Sequence, residues 1–322
     1  MSIKLEETLE GLHERTKEKF AKKPKVIIKG DDFDVENLPI GDTWHRLTDV
    51  VAVVFDMLAS TNLEQGRKPA STASIYDAGV GGVVRVFNTF DADFVDIQGD
   101  GGFALFWGKR RYERALCAAV TIRKFSNDFA EQLKVKWPDA PSTGFKIGVA
   151  SGPVLAKKVG LERHLDLQEP VWAGHPVNFA AKSAQQQTDA KHLVITASVW
   201  DAIENNDYLT FSCGCPSGTI YNLWDNVEID KIPGDDRYGQ SLDVTWCAIH
   251  GEEFCNAILD GQKRREDIDT ATRSARTALG YGSEVRIAAA RSRAAFRKRL
   301  EEEQNSPLTE LLRLLGSQSA SA

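Results

Sequence analysis

No apolar run in this chain of 322 residues approaches the roughly 18 residues needed for a membrane-spanning helix, so none is expected. The amino terminus, Met1-Ser2-Ile3-Lys4-Leu5-Glu6-Glu7, lacks the pattern of a secretory signal. These two absences predict a cytoplasmic protein. Positive charge is not in excess: 40 Lys and Arg face 46 Asp and Glu, a net charge of -6 that argues against a general nucleic-acid binder. Cysteine is sparse and odd in number, with Cys117, Cys213, Cys215, Cys247 and Cys255. In a cytosolic chain these thiols are expected to be reduced. Cys213-Gly214-Cys215, with His250 and Cys255 downstream, offers metal-binding residue types. One intervening residue falls short of the usual two to four, so buried free thiols are expected rather than zinc. No internal repeat is present.

What remains is an ordinary globular composition, 42% hydrophobic and 27% charged. The length allows one large domain with appendages, or two domains. Leu5, Leu9, Leu12 and Phe20 form a helical stripe over 3–22, which Lys22-Lys23-Pro24-Lys25 ends. Residues 24–45 carry turn formers and read as a linker. The division expected is a helix and linker over 1–45, a main domain over 46–250 and a helical extension over 251–322, frayed at 316–322. Within the main domain the pattern predicts a strand at 50–56 and a helix at 75–90. A hairpin at 94–107 and a helix from 111 to 133 follow. Next come a strand-turn-strand unit at 145–156, a helix at 176–187 with proline in its first turn, a strand at 193–196 and a helix at 197–204. Strand-like runs lie at 219–221, 227–229 and 244–246. Beyond 251, Arg, Glu and Ala dominate, broken at Gly280-Tyr281-Gly282, which reads as two or three helices. Strands and helices interspersed with hairpins give an α+β class.

Two short stretches carry acids where apolar residues would be expected. The run Val51-Ala52-Val53-Val54-Phe55 ends in Asp56, and Val95-Asp96-Ile97-Gln98 passes through Gly99-Asp100-Gly101-Gly102 into Phe103-Ala104-Leu105-Phe106. Either aspartate alone suits a turn or helix cap. Two carboxylates at the ends of neighbouring buried strands suit hard divalent cations. Ser60 and Thr61 follow as N-cap candidates, and a helix start is a ready phosphate site. Farther on, Asn178 and Lys182 lie four apart in Pro176-Val177-Asn178-Phe179-Ala180-Ala181-Lys182 and share a helix face. An amide and a cation side by side suit a polyphosphate, although an exposed helix face has the same pattern. Lys146-Ile147-Gly148-Val149-Ala150-Ser151-Gly152-Pro153-Val154 places two glycines where backbones approach closely.

In their order and spacing these segments resemble the catalytic domain of class III nucleotidyl cyclases, over about residues 48–250. The resemblance implies a ferredoxin-like α+β fold and a head-to-tail homodimer with active sites at the interface. It implies that Asp56 and Asp100 hold two divalent ions, Mn²⁺ or Mg²⁺, with the Met57 carbonyl as a backbone ligand. Asn178 would orient the ribose. Lys182 stands where the family usually has arginine, keeping the charge but losing the bidentate fork. Lys231 is the candidate for the family's late phosphate-binding lysine.

The same resemblance bears on the base. Adenylyl cyclases usually have Lys four residues before the second metal aspartate and Asp or Thr seven before the asparagine; guanylyl cyclases have Glu and Cys. Here those positions are Asp96 and Val171. Without the lysine, adenine N1 has no donor, and valine accepts nothing from the exocyclic amine. Asp96 suits uracil N3–H, the cytosine amine or guanine N1–H, and an acceptor alone favours UTP over CTP. This departure resembles the bacterial pyrimidine cyclases of anti-phage defence, which make cyclic UMP or cyclic CMP for a separate effector protein. A uridylate cyclase is therefore expected, with cytidylate or guanylate cyclase as alternatives. A catalytically silent cyclase-like interaction module is a further alternative, against which the two retained aspartates argue.

Overall fold

The apolar run that ends at Phe55 is continuous because its strand is covered on both faces. In a computed structural model that describes residues 3–161, 163–280, 288, 291–295, 298–299 and 302, this strand is an interior strand of a mixed sheet. The strands are β1 (Lys25–Ile28), β2 (Thr43–Met57), β3 (Phe94–Gln98), β4 (Gly101–Phe106), β5 (Phe145–Leu161), β6 (His164–Gly174), β7 (Leu193–Ile195), β8 (Trp224–Glu228) and β9 (Tyr238–Leu242). Their order is β3-β4-β2-β5-β7-β9-β8, with β1 paired to β2 and β6 to β5. The β1–β2 and β5–β7 pairs are parallel, the others antiparallel. The helices are α1 (Leu5–Ala21), α2 (Ser60–Leu63), α3 (Pro69–Thr89), α4 (Arg111–Lys136), α5 (Pro176–Gln185), α6 (Ala197–Ile203), α7 (Asp207–Thr210), α8 (Gly251–Leu259) and α9 (Thr270–Gly280). The α+β expectation holds in an open mixed sheet.

Alternation along β2 divides the core in two. Val51, Val53, Phe55 and Met57 join the cluster under α3 and α4. Val50 and Ala52 turn the other way and join Ala150, Val154, Phe179 and Ala180, under α5. The first cluster is the aromatic one: Phe55 lies 5.9 Å from both Phe87 and Phe145 by ring centroids, and all three are fully buried. Each such phenylalanine contributes about 1.5–3 kcal/mol of burial, so this face anchors the sheet. The start of α4 is tied to β2 by Arg111, whose Nε and Nη2 donate to Asp49 at 2.9 and 2.6 Å.

On the second face α5 sits directly on β5. A Cβ at Gly148 would fall 2.0 Å from the Ala180 carbonyl oxygen and 2.5 Å from the Ala184 nitrogen. No other residue type fits there.

Several expectations need correction. Residues 24–45 are not a linker: Lys25–Ile28 adds a strand to the sheet. Phe33 is buried behind it, 5.5 Å from Trp107, whose Nε1–H donates to the Phe33 carbonyl at 3.1 Å. β2 also begins before residue 46. Residues 145–156 do not turn at Gly152-Pro153. The strand runs on to Leu161, because Val154 and Ala156 stay in register with Leu47 and His45 past a bulge, and the turn comes before β6 instead. Helix α3 starts earlier than expected, at Pro69, a residue type suited to a first turn. Residues 244–246 form no strand; Trp246 packs inward and donates to Thr121 Oγ1 at 2.8 Å. At 219–221 there is no strand either, only a bridge between Phe211 and Asn222 nearby.

The amphipathic α1 buries none of its residues. In the carboxy-terminal region, Arg273 of α9 clamps the buried Asp207 of α7 at 2.7 Å. The expected break reaches residues 281 and 282, which lie outside the described residues, as does the tail at 316–322. Among the described residues no helix is long and apolar enough to cross a membrane.

Gly148→Ala is expected to destabilise the fold by about 1–3 kcal/mol, the usual range for overpacking, read as a lower urea midpoint. An unchanged midpoint would mean that α5 lifts off β5 without cost.

Candidate active site

Asp56 comes from the strand alternation just described. It is the next residue of the Ala52, Val54 face, so it points to the side of the sheet that α5 covers. Its register partners are Gly101 on β4 and Lys146 on β5. Gly101 leaves the space that Asp56 uses: a Cβ there would lie 3.4 Å from Asp56 Oδ1 and 2.8 Å from the Phe55 carbonyl oxygen. The residue before Gly101 is Asp100, in the two-residue turn that Gly99 enters at φ 66°, a conformation glycine adopts without strain. The Met57 N–H donates to the Asp100 carbonyl at 3.3 Å, which fixes the turn against the end of β2. The Met57 side chain is buried in the core, so only its backbone is available to the site.

Both carboxylates are half-buried. Burial pushes the Asp56 carboxyl above its ordinary range; repulsion from Asp100 adds to this, and Lys146 offsets part of it. Among the described residues neither carboxylate makes a hydrogen bond or ion pair. Two unpartnered, mutually repelling carboxylates form an oxygen-only donor set, which fits a hard divalent cation.

Two neighbours were not singled out from sequence. Lys146 is the cation that acts on Asp56, from the same face of the adjacent strand. Its signal was available: a charged residue at the parity of Gly148 and Ala150 inside an apolar strand. Tyr76, on α3, is the other. Its phenol is pushed up by burial and by Asp100, and Ser60 nearby offsets part of this. Its place beside Asp100 depends on how α3 crosses the sheet, which no local pattern encodes.

Ser60 and Thr61 are not N-caps. Ala59 holds that position with φ 58°, and Ser60 and Thr61 are the first helical residues of the four-residue α2. Ser60 is half-buried and Thr61 exposed.

Asn178 and Lys182 share a face of α5 as expected. Phe179, Ala180, Ser183 and Ala184 make the buried side. Asn178 is exposed. Lys182 Nζ lies 5.8 Å from the Phe179 ring centroid. Lys231 is exposed in the turn after β8. The preceding residue, Asp230, donates its N–H to Gln186 Oε1 at 3.3 Å, which places this turn at the carboxy-terminal end of α5. Among the described residues no hydrogen bond or ion pair joins Asn178 or Lys182 to Asp56 or Asp100.

Asp96 lies on β3 opposite Phe103, half-buried, and accepts from Gln98 Nε2 at 3.1 Å. It shares its sheet face with Phe94, which packs 5.0 Å from Trp172 on β6. Val171 alternates with Trp172 and so points away from Phe94; it is exposed opposite Lys157. Asp96 and Val171 therefore do not meet within one chain.

Of the cysteines, Cys117 is buried, and the other four are half-buried rather than buried as expected. Cys255 faces Cys117. Cys213, Cys215 and Cys247 gather instead with His250.

The chain is 50% identical over 277 residues to a uridylate cyclase of Micromonospora echinofusca, covering 85% of this chain and 90% of that one. It is 49% identical over 253 residues to a uridylate cyclase of Propioniciclava tarda, covering 78% and 82%. No protein-family model matches it. Among solved structures, the adenylyl cyclase CyaB of P. aeruginosa superposes with a TM-score of 0.50 at 12% identity, over 63% of this chain and 95% of that one. A class III adenylyl cyclase-like ATP-binding protein from Pseudomonas aeruginosa gives 0.50 at 20% identity, over 77% of this chain and 48% of that one. At such identities the likeness is one of fold alone.

The folded protein binds the Asp56 proton more tightly than the unfolded chain does. Stability therefore falls as pH rises from the ordinary carboxylate range through the raised value. Without added Mg²⁺ or Mn²⁺, Asp56→Asn is expected to melt higher than wild type at neutral pH, and the gain should shrink on acidification. Added Mn²⁺ should raise the melting temperature of wild type but not of the variant. Equal melting of the two proteins at every pH would contradict this electrostatic account.

Proposed function

The chain belongs to the uridylate cyclase family and is a nucleotidyl cyclase, and we propose that it converts UTP to 3′,5′-cyclic UMP and pyrophosphate. The observation that carries the chemistry is the unpartnered carboxylate pair at the β2 end and the β3–β4 turn. The choice of UTP is supported by the identity to relatives named for that substrate, and by Asp96.

Asp56, Asp100 and the Met57 carbonyl would hold two divalent ions, Mn²⁺ or Mg²⁺. When bound, such ions acidify the ribose 3′-hydroxyl and neutralise the triphosphate. Lys146 offsets part of the burial and repulsion that oppose ionisation of Asp56. Ser60 and Thr61, just beyond Asp56, line the phosphate side. Asn178 orients the ribose through its amide, so that the 3′-oxygen lies in line with the α-phosphorus. Lys182 balances charge that builds on the α-phosphate oxygens as pyrophosphate leaves, with a point charge in place of arginine's fork. Lys231, beside the end of α5, holds the outer phosphates.

Asp96 accepts from uracil N3–H. Adenine would set its N1 acceptor against this carboxylate, leaving both unpaired at about 1–3 kcal/mol. Val171, which points away from Asp96, offers no acceptor for the adenine amine.

The resemblance to class III cyclases supports a head-to-tail homodimer. Each site then takes its carboxylates from one protomer and its α5 residues from the other. The product acts as a second messenger on a separate effector protein in anti-phage defence in the cytoplasm, a role supported by the resemblance to bacterial pyrimidine cyclases.

Purified protein incubated with each of the four nucleoside triphosphates and Mn²⁺ is expected to make mainly cyclic UMP. Cyclic CMP as the main product would move the assignment to cytidylate cyclase. Cyclic AMP alone would overturn the role of Asp96, and no cyclic product from any triphosphate would overturn the assigned reaction.

Lys182→Ala should lower kcat by about 10²-fold or more, in the range for loss of one group that stabilises transition-state charge, while Lys182→Arg should retain activity. Mixing inactive Asp56→Ala and Lys182→Ala proteins should restore about a quarter of wild-type activity, since half of randomly exchanged dimers carry one intact site of two. No recovery despite demonstrated subunit exchange would rule out a shared site.

A further inference from the structure

Away from the carboxylate pair, one donor cluster has no part in the cyclase chemistry. We infer that Cys213, Cys215, Cys247 and His250 form a structural zinc site, which ties the loop after α7 to the segment that leads into α8. One ligand atom from each of the four residues lies within 4.8 Å of every other. Zinc bond lengths of about 2.3 Å to sulfur and 2.0–2.1 Å to nitrogen give tetrahedral edges of about 3.8 Å between sulfurs and 3.5 Å from sulfur to nitrogen. The Cys215 Sγ to His250 Nδ1 distance is 3.4 Å. Three cysteines and a histidine close a tetrahedron with no position left for water, which marks a structural rather than a catalytic site.

The local backbone is shaped around these donors. Gly214 separates the first pair at φ 80°, and the Gly218 N–H closes the loop onto the Gly214 carbonyl at 2.6 Å. In the second pair, the Gly251 N–H donates to the Cys247 carbonyl at 2.8 Å, folding residues 247–251 into the turn that starts α8. The Ile249 N–H points at Cys247 Sγ at 3.4 Å, which favours the thiolate needed for ligation.

The fold also has a use for a cross-link here. Residues 243–247 form neither helix nor strand. A cavity of about 410 Å³ opens beside the cluster, lined by Tyr208, Trp224, Trp246 and Phe254 among others. Side-chain packing is thus thin where the loop after α7 meets the approach to α8. Zinc would join the two and hold α8 on α4, where Ala257 and Ile258 are buried. Sulfur ligands select zinc over the hard cations that suit Asp56 and Asp100, so the two metal sites are chemically independent.

The sequence obscured this site in two ways. Cys213 and Cys215 are one residue too close for the common pattern, and the third cysteine is Cys247, not Cys255. The second pair, Cys247-Ala248-Ile249-His250, has an ordinary spacing once the partners are known.

The test is metal content of the full chain purified from zinc-supplemented medium. About one zinc per chain is expected, retained on dialysis and released when a mercurial blocks the thiols. Exchange with Co²⁺ should give intense visible bands with thiolate-to-cobalt charge transfer in the near ultraviolet. Cys213→Ser and Cys247→Ser should lose the zinc and melt lower, while Cys255→Ser should keep it. Should those variants not fold, zinc release and the Co²⁺ spectrum of the wild-type chain decide alone. Freely reactive thiols at 213, 215 and 247 with no bound metal would overturn the proposal, and so would a disulfide between Cys213 and Cys215. Zinc content does not depend on cyclase activity, so failure here leaves the UTP reading untouched.

Discussion

Holding two half-buried carboxylates, Asp56 and Asp100, at the end of β2 and in the β3–β4 turn is the constraint that the rest of the structure serves. Burial and mutual charge both oppose ionisation of Asp56, and among the described residues no hydrogen bond or ion pair relieves either acid. A flexible chain would separate them. Here β2 and β4 pair rigidly, with Asp56 opposite Gly101, and the Met57 N–H pins the turn that carries Asp100. The cost of holding two acids together is met by packing elsewhere. The phenylalanine cluster under α3 and α4 anchors one face of the same strand whose other face presents Asp56. Such destabilised pairs are typical of sites whose work requires them.

The second face has the opposite logic. At Gly148 the absence of a side chain lets α5 rest its backbone on β5. That seating fixes which residues of α5 face outward, and Asn178 and Lys182 are among them. One glycine thus sets the position of both proposed substrate-handling groups. The Asp207–Arg273 clamp ties α7 to α9, and Cys213, Cys215, Cys247 and His250 gather nearby.

Much of this was legible locally. The hairpin around Gly99-Asp100, the strand ending at Asp56 and the helix bearing Asn178 and Lys182 each announced themselves by period and turn chemistry. The strand-turn-strand reading at 145–156 failed because a glycine and a proline look like a turn. Only the partner strand shows that Val154 and Ala156 continue the register. The linker reading of 24–45 failed because a four-residue edge strand has little periodicity of its own. The cysteines misled for a related reason: spacing along the chain says little about donors brought together from two distant loops.

The sequence by itself determined the class of fold and the two aspartates with their strand context, because these depend on short-range patterns of period, turn and charge. Only the tertiary structure decided that Lys146 is the cation beside Asp56 and that Val171 points away from Asp96. It alone brought Cys247 and His250 to Cys213 and Cys215. These are matters of strand register and of how separate segments pack, and neither is written in any one segment of the chain.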